Sequence, residues 1–260
     1  MKKSRLIYMI ISLLLSILLE TVAIYYGKFI FLITIISFSL LLSNLQKKKN
    51  EIDEIKKIIL EFNVNCDTDI YIMKLKDFRK KCLFSKKQLA YFNLYLVTGY
   101  MEQGNFPKAE EMLLFIDEYS NKFNLLGKFI YLKNWAELFF YKKLNEKMKL
   151  TLLNLREVID AIPNQQLKIA LLQTYQITEG KYFILVNRDV EKVRVFFRDK
   201  ANRERSNLYK INYKFYEGLC NIRLNNIEAL NIIKELSTID KKIYSCIESK
   251  KMVDKMNSIV

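Results

Sequence analysis

From Leu6 to Leu45 the chain carries only two formal charges, Glu20 and Lys28, in a run dense in Leu, Ile, Phe and Tyr, and nothing after residue 50 resembles it. As one straight helix this run would be about 60 Å long at 1.5 Å per residue, roughly twice the hydrocarbon thickness of a bilayer. The pattern therefore predicts a transmembrane hairpin with spans at about 6–26 and 29–45. Its break falls at Tyr25-Tyr26-Gly27-Lys28, where interface-suited aromatics meet a helix-ending glycine. Lys2, Lys3 and Arg5 precede the first span, and Lys47, Lys48 and Lys49 follow the second. The positive-inside rule then predicts a multi-pass cell-membrane protein with both termini cytoplasmic. A cleaved signal peptide is the plainer alternative, but a second apolar segment would still anchor the chain. Glu20, near the predicted outer end, reads as a snorkelling carboxylate, or more sharply as an intramembrane contact to a partner membrane protein.

Beyond residue 50 the pattern changes to the period of amphipathic helices. Leu94, Val97 and Met101 share one face, Ala109, Met112, Leu113 and Ile116 another, and Gly104-Asn105 lies between, which predicts a helix hairpin. Comparable breaks follow at Leu144-Asn145, at Asn187 to Asp189 and at Asn225-Asn226, at intervals of about 40, 42 and 38 residues. Asn at such a break both tolerates the left-handed conformation that ends one helix and caps the next. The strongest internal match sets Glu179-Gly180, Ile184, Val186 and Asn187 against Glu217-Gly218, Ile222, Leu224 and Asn225, 38 residues on. The predicted organisation is an anchor at 1–50, a linker with a divergent first helix pair at 51–85, and helical repeats at 86–260, closed by an amphipathic helix from Ile239 to Asn257.

Composition sharpens this picture by exclusion. The 260 residues contain no His, so imidazole bases, His triads and His zinc sites are ruled out, and only six Gly and two Pro leave few phosphate loops or hairpin turns. An all-α fold is expected. No Walker loop, dinucleotide turn or paired-carboxylate motif is present, and Cys66, Cys82, Cys220 and Cys246 lack metal or redox spacing. No enzyme activity, cofactor or metal is expected. The charge of +15 divides into +6 on residues 1–50 and +9 on residues 51–260. One basic cluster, which includes Lys80 and Lys81, is one-sided; with Lys47, Lys48 and Lys49 it suggests contact with anionic lipid, a solvated face being the plainer reading. The other, Arg188 to Arg205, is interleaved with acids and predicts local ion pairs, and no recognition motif favours nucleic acid.

The segment Tyr100-Met101-Glu102-Gln103-Gly104-Asn105-Phe106-Pro107-Lys108-Ala109 resembles a tetratricopeptide repeat, with an aromatic late in helix A, a Gly-Asn-aromatic turn and a small Ala early in helix B. The likeness runs from Leu96 to Ile116, although Val97 stands where helix A usually has a small residue. Residues 210–236 resemble the motif with Gly218 and Ala229 at the small positions, whereas Lys149 or Leu150 and Val193 depart from it, and the intervals exceed the family's usual 34 residues. The resemblance implies an α-solenoid of about four to five hairpins whose first helices line a concave groove for a protein or peptide partner. It places Tyr91, Leu94, Tyr95 and Thr98 in that groove. Together these features predict a membrane-anchored scaffold. The competing expectation is an accessory, regulatory or immunity-type subunit of a membrane transporter or export complex acting through its spans.

Overall fold

The computed structural model describes residues 11, 13–22, 28–226 and 228–258. Residues 13–22 are helical and are followed by α1 (Lys28–Asn65), α2 (Thr68–Lys81), α3 (Lys86–Glu102), α4 (Phe106–Ser120), α5 (Leu125–Tyr141), α6 (Asn145–Asp160), α7 (Gln165–Leu185), α8 (Val190–Arg203), α9 (Asn207–Arg223), α10 (Glu228–Ser237) and α11 (Tyr244–Asn257). The all-α expectation holds for the described residues. The chain divides into two compact units, Met1–Lys57 and Ile58–Val260.

The first unit corrects the transmembrane hairpin. Among the described residues no helix is long and apolar enough to cross a membrane. That finding overturns the expected spans at 6–26 and 29–45 as far as their residues are described, 6–10, 12 and 23–26 lying outside the described residues, and with them the multi-pass cell-membrane placement and the assignment of both termini to the cytoplasm. An accessory role exerted through such spans loses its premise. The segment expected to end at Leu45 does not stop there: α1 runs for 38 residues, with Lys47, Lys48 and Lys49 exposed in its middle. The physical reason lies in the residues from Gln46 to Asn50, which include neither Gly nor Pro. The Gln46 side chain instead donates to Asn50 Oδ1 one turn on, at 3.0 Å. Glu20 is exposed on the helix at 13–22, and the expected turn at Tyr25-Tyr26-Gly27, like Lys2, Lys3 and Arg5, lies outside the described residues.

In the second unit four helix pairs follow one another, α3 with α4, α5 with α6, α7 with α8 and α9 with α10, and all four turn in the same way. Gly104, Lys143, Asn187 and Asn225 adopt left-handed φ values of 77°, 58°, 56° and 53°. At each turn the next amide reaches back across the helix end: Asn105 to the Tyr100 carbonyl at 2.8 Å, and Leu144 to Phe139, Arg188 to Phe183 and Asn226 to Asn221 at 2.9 Å. This is the Schellman arrangement, which satisfies carbonyls that a helix end leaves orphaned. Asparagine side chains also close helix starts: Asn105, Asn124 and Asn164 accept from the amides of Lys108, Gly127 and Leu167 at 3.4, 2.9 and 2.9 Å.

Small residues set how closely the pairs approach. A Cβ at Gly218 would lie 2.8 Å from Ile233 Cδ1, and one at Gly180 would lie 3.2 Å from the Phe197 ring; Ala136 takes the equivalent place in α5 and is fully buried. In α6 the inward position expected at Lys149 or Leu150 belongs to Met148, which is fully buried while Leu150 is exposed. The first helices α3, α5, α7 and α9 touch one another in series, and α11 packs on both α9 and α3. The core between these layers includes Phe129, Met148, Leu155, Ile159, Phe197, Phe215 and Ile233.

The two ends of the array also meet. Thr68 Oγ1 donates to the Lys242 carbonyl at 2.7 Å, the Lys242 ammonium lies 3.2 Å from Asp69, and Asn207 donates to the Val64 carbonyl at 2.9 Å.

Candidate functional site

Because the first helices form the inner layer, the residues that point away from the second helices face one another across a cavity. It has a volume of about 200 Å3, and every residue lining it comes from α3, α5, α7 or α9. Thr98, Met101 and Glu102 come from α3, Lys133, Glu137 and Tyr141 from α5, and Thr174, Ile177 and Lys181 from α7. The last helix, α9, adds Tyr209, Asn212, Tyr213 and Tyr216. Thr98, Glu137 and Lys181 each stand the same number of residues ahead of the left-handed turn residue of their own hairpin, Gly104, Lys143 and Asn187. Repetition of one helical register has thus put these side chains on one wall.

The wall carries a charge network. Lys181 and Glu137 are both buried and ion-paired, and Lys133 approaches the same carboxylate at 3.7 Å. Burial works against ionisation of Glu137, but the two lysines outweigh it and hold the carboxyl below its usual range. For Lys181 burial is the larger influence and Glu137 restores only part, so its ammonium titrates below the usual lysine value. That ammonium also sits 4.4 Å above the centre of the Tyr216 ring. The hydroxyls of Tyr216 and Tyr141 are 3.1 Å apart, and burial pushes both well above the usual phenol range, so they remain neutral hydrogen-bonding groups.

Glu102 is different. Its two carboxylate oxygens accept from Asn212 Nδ2 at 3.0 and 3.2 Å, and no cation is paired with it among the described residues. Ser245 of α11 donates to Asn212 Oδ1 at 2.5 Å, which fixes the amide with its NH2 towards Glu102. Burial raises the Glu102 carboxyl above its ordinary value, against the lowering influence of the Asn212 bond and of Lys181.

Of the four groove residues placed by sequence, the cavity is lined by Thr98 alone. Tyr91 is turned to the next hairpin: its hydroxyl donates to Asn124 Oδ1 at 2.9 Å and accepts from the Asn124 amide at 3.0 Å, and its ring lies on Phe123. Leu94 is core, 3% exposed, and its carbonyl accepts from Thr98 and Asn134. Tyr95 is exposed on α3, outside the cavity. The charged residues Glu102, Lys133, Glu137 and Lys181 were missed because each reads singly as a solvated helix charge; the shared register of Glu137 and Lys181 before their turns was the available signal.

Some members of each basic cluster are ion-paired where they stand. Lys74 pairs with Glu61 at 2.5 Å and Lys80 with Asp77 at 3.0 Å, and Lys80 and Lys81 are exposed at the end of α2. Arg194 holds Glu191 at 2.6 Å and Glu228 at 3.4 Å, the local pairing that interleaved charges predict. Among the described residues no group of His, Cys, Asp and Glu could hold a metal ion. Comparison with protein-family models, with curated proteins and with solved structures returns no match to this chain.

Proposed function

We propose that the second unit is a tetratricopeptide-like interaction scaffold whose groove binds a short, extended segment of a peptide or protein partner. The observation that carries this reading is that the cavity is built wholly from the first helices of four successive hairpins. A stacked helical array presents that inner layer as its binding surface. The resemblance of Tyr100 to Ala109 to the repeat motif supports the same use. At about 200 Å3 the cavity suits one or two side chains of an extended segment and is too small for a folded domain. Recognition here is by shape and hydrogen bonds, with no bond made or broken.

The test is selection of a displayed, randomised hexapeptide library on the full-length protein, followed by fluorescence anisotropy of the best peptides. Thr98 and Thr174 line the cavity without belonging to the buried core. Changing both to Trp is expected to fill it and weaken the selected peptides at least tenfold while leaving the helical circular dichroism unchanged. Failure to select any peptide, or peptides indifferent to the filled cavity, would remove the reading.

A further inference from the structure

We propose that the groove receives a cationic group of its ligand, an ammonium or guanidinium, with Glu102 as the counter-ion. This rests on the peptide-binding reading above and specifies what the peptide must carry.

The charges in the cavity are unequally satisfied. Glu137 is engaged by both lysines, Lys181 in the buried pair and Lys133 at 3.7 Å. Glu102 is the remaining carboxylate of the lining, and its bonded partner is a neutral amide. A carboxylate carries about four acceptor positions, and the two hydrogen bonds from Asn212 leave capacity on both oxygens.

The support behind Glu102 is directional. Ser245 donates to Asn212 Oδ1, so the amide can present only its NH2 to Glu102, and α11, α9 and α3 are tied together through that relay. Side chains held by neighbours in this way are pre-organised for a ligand, which lowers the ordering cost of binding. The same cavity is lined by the phenol rings of Tyr141, Tyr209 and Tyr213, beside Tyr216 whose face Lys181 already occupies, and aromatic faces attract cations. Burial of the Glu102 carboxyl agrees with a group whose charge is completed by an incoming cation. The chain's charge of +15 opposes any cation at long range. At physiological salt the Debye length of about 8 Å screens the outer lysines far more than a pair inside the cavity.

The test runs the hexapeptide selection at physiological salt on the full-length protein and, in parallel, on its Glu102→Gln variant. Gln keeps an acceptor for Asn212 and removes the charge, and a thermal midpoint no lower than that of the wild type shows that the variant is folded. Peptides selected on the wild type are expected to be enriched in Arg or Lys at one position, and the enrichment should vanish on the variant. Replacing that Arg by citrulline, which keeps the shape and loses the charge, should weaken binding to the wild type about tenfold or more and leave binding to the variant unchanged, since hydrogen bonds between charged groups carry effects of that size. Selected peptides without cationic enrichment, enriched in Asp or Glu, or equally cationic on both proteins would overturn this inference alone. Recovery of no peptide from either protein would overturn it together with the peptide-binding reading.

Discussion

Replacing Lys181 by Met is expected to cost about 3 kcal/mol of folding stability, at the lower end of the losses that removal of one partner from a buried ion pair produces. The substitution preserves most of the volume, so the loss reports the charge. Glu137 would be left buried without its main counter-charge, either under-compensated or protonated at a cost, with Lys133, at 3.7 Å and with 29% of its side chain exposed, as its remaining cation. That residual partner is why the low end applies. Changing Glu137 and Lys181 together to Met should recover the loss to within about 1 kcal/mol, because an apolar pair of similar size replaces a buried pair at little net cost. Chemical denaturation of the wild type, both single variants and the double variant closes the cycle. A double variant no better than Lys181→Met would mean that packing at this point, and not the unpaired charge, sets the loss. Acid should act on the same pair. Glu137 is held below the ordinary carboxyl value of 4.5, so it contributes stability above that value and loses it as pH falls through its lowered folded pKa. The wild type should therefore lose stability relative to the double variant as the solution is made acid.

Truncation of Phe197 to Ala is the second large effect, expected at about 3–5 kcal/mol. Phe197 on α8 is fully buried. The Tyr216 and Tyr213 rings of α9 lie 5.2 and 6.2 Å from its centre, and the missing side chain of Gly180 on α7 leaves room for its edge. One side chain thus wedges three helices, and the cavity left by its loss would lie beneath Tyr216, the ring under the Lys181 ammonium. Urea denaturation should show a lower midpoint with an unchanged slope, since the surface exposed on unfolding hardly differs. Phe197→Leu, which keeps most of the volume, should lose clearly less. A loss below about 1.5 kcal/mol for the Ala variant would indicate that α7, α8 and α9 do not meet at this residue.

The parts of this fold that local chemistry dictates were legible in the sequence. Gly104, Asn187 and Asn225 are residue types that accept a left-handed backbone, and each is a turn in the structure. Lys143 takes the same conformation with no such preference, so its turn is recognisable only through the neighbouring Leu144-Asn145. The groove was harder, because which face of α3 meets solvent depends on partners distant in sequence. Tyr91 looks like a groove aromatic until Asn124 of the following turn claims its hydroxyl, and Leu94 is covered by packing that no single helix reveals. Glu102 could not be singled out without Asn212, more than two hairpins away. At the amino terminus, hydropathy identifies an apolar run but not its boundary, and α1 continues through the lysines that were expected to end it.

The central proposal is that the first helices form the ligand surface. Hydrogen–deuterium exchange of the full-length protein, with and without a selected hexapeptide at saturating concentration, tests it most directly. Added protection is expected in α3, α5, α7 and α9, strongest around Glu102, Glu137, Lys181 and Asn212. Protection confined to α4, α6, α8 and α10, or to residues 13–65, would contradict it.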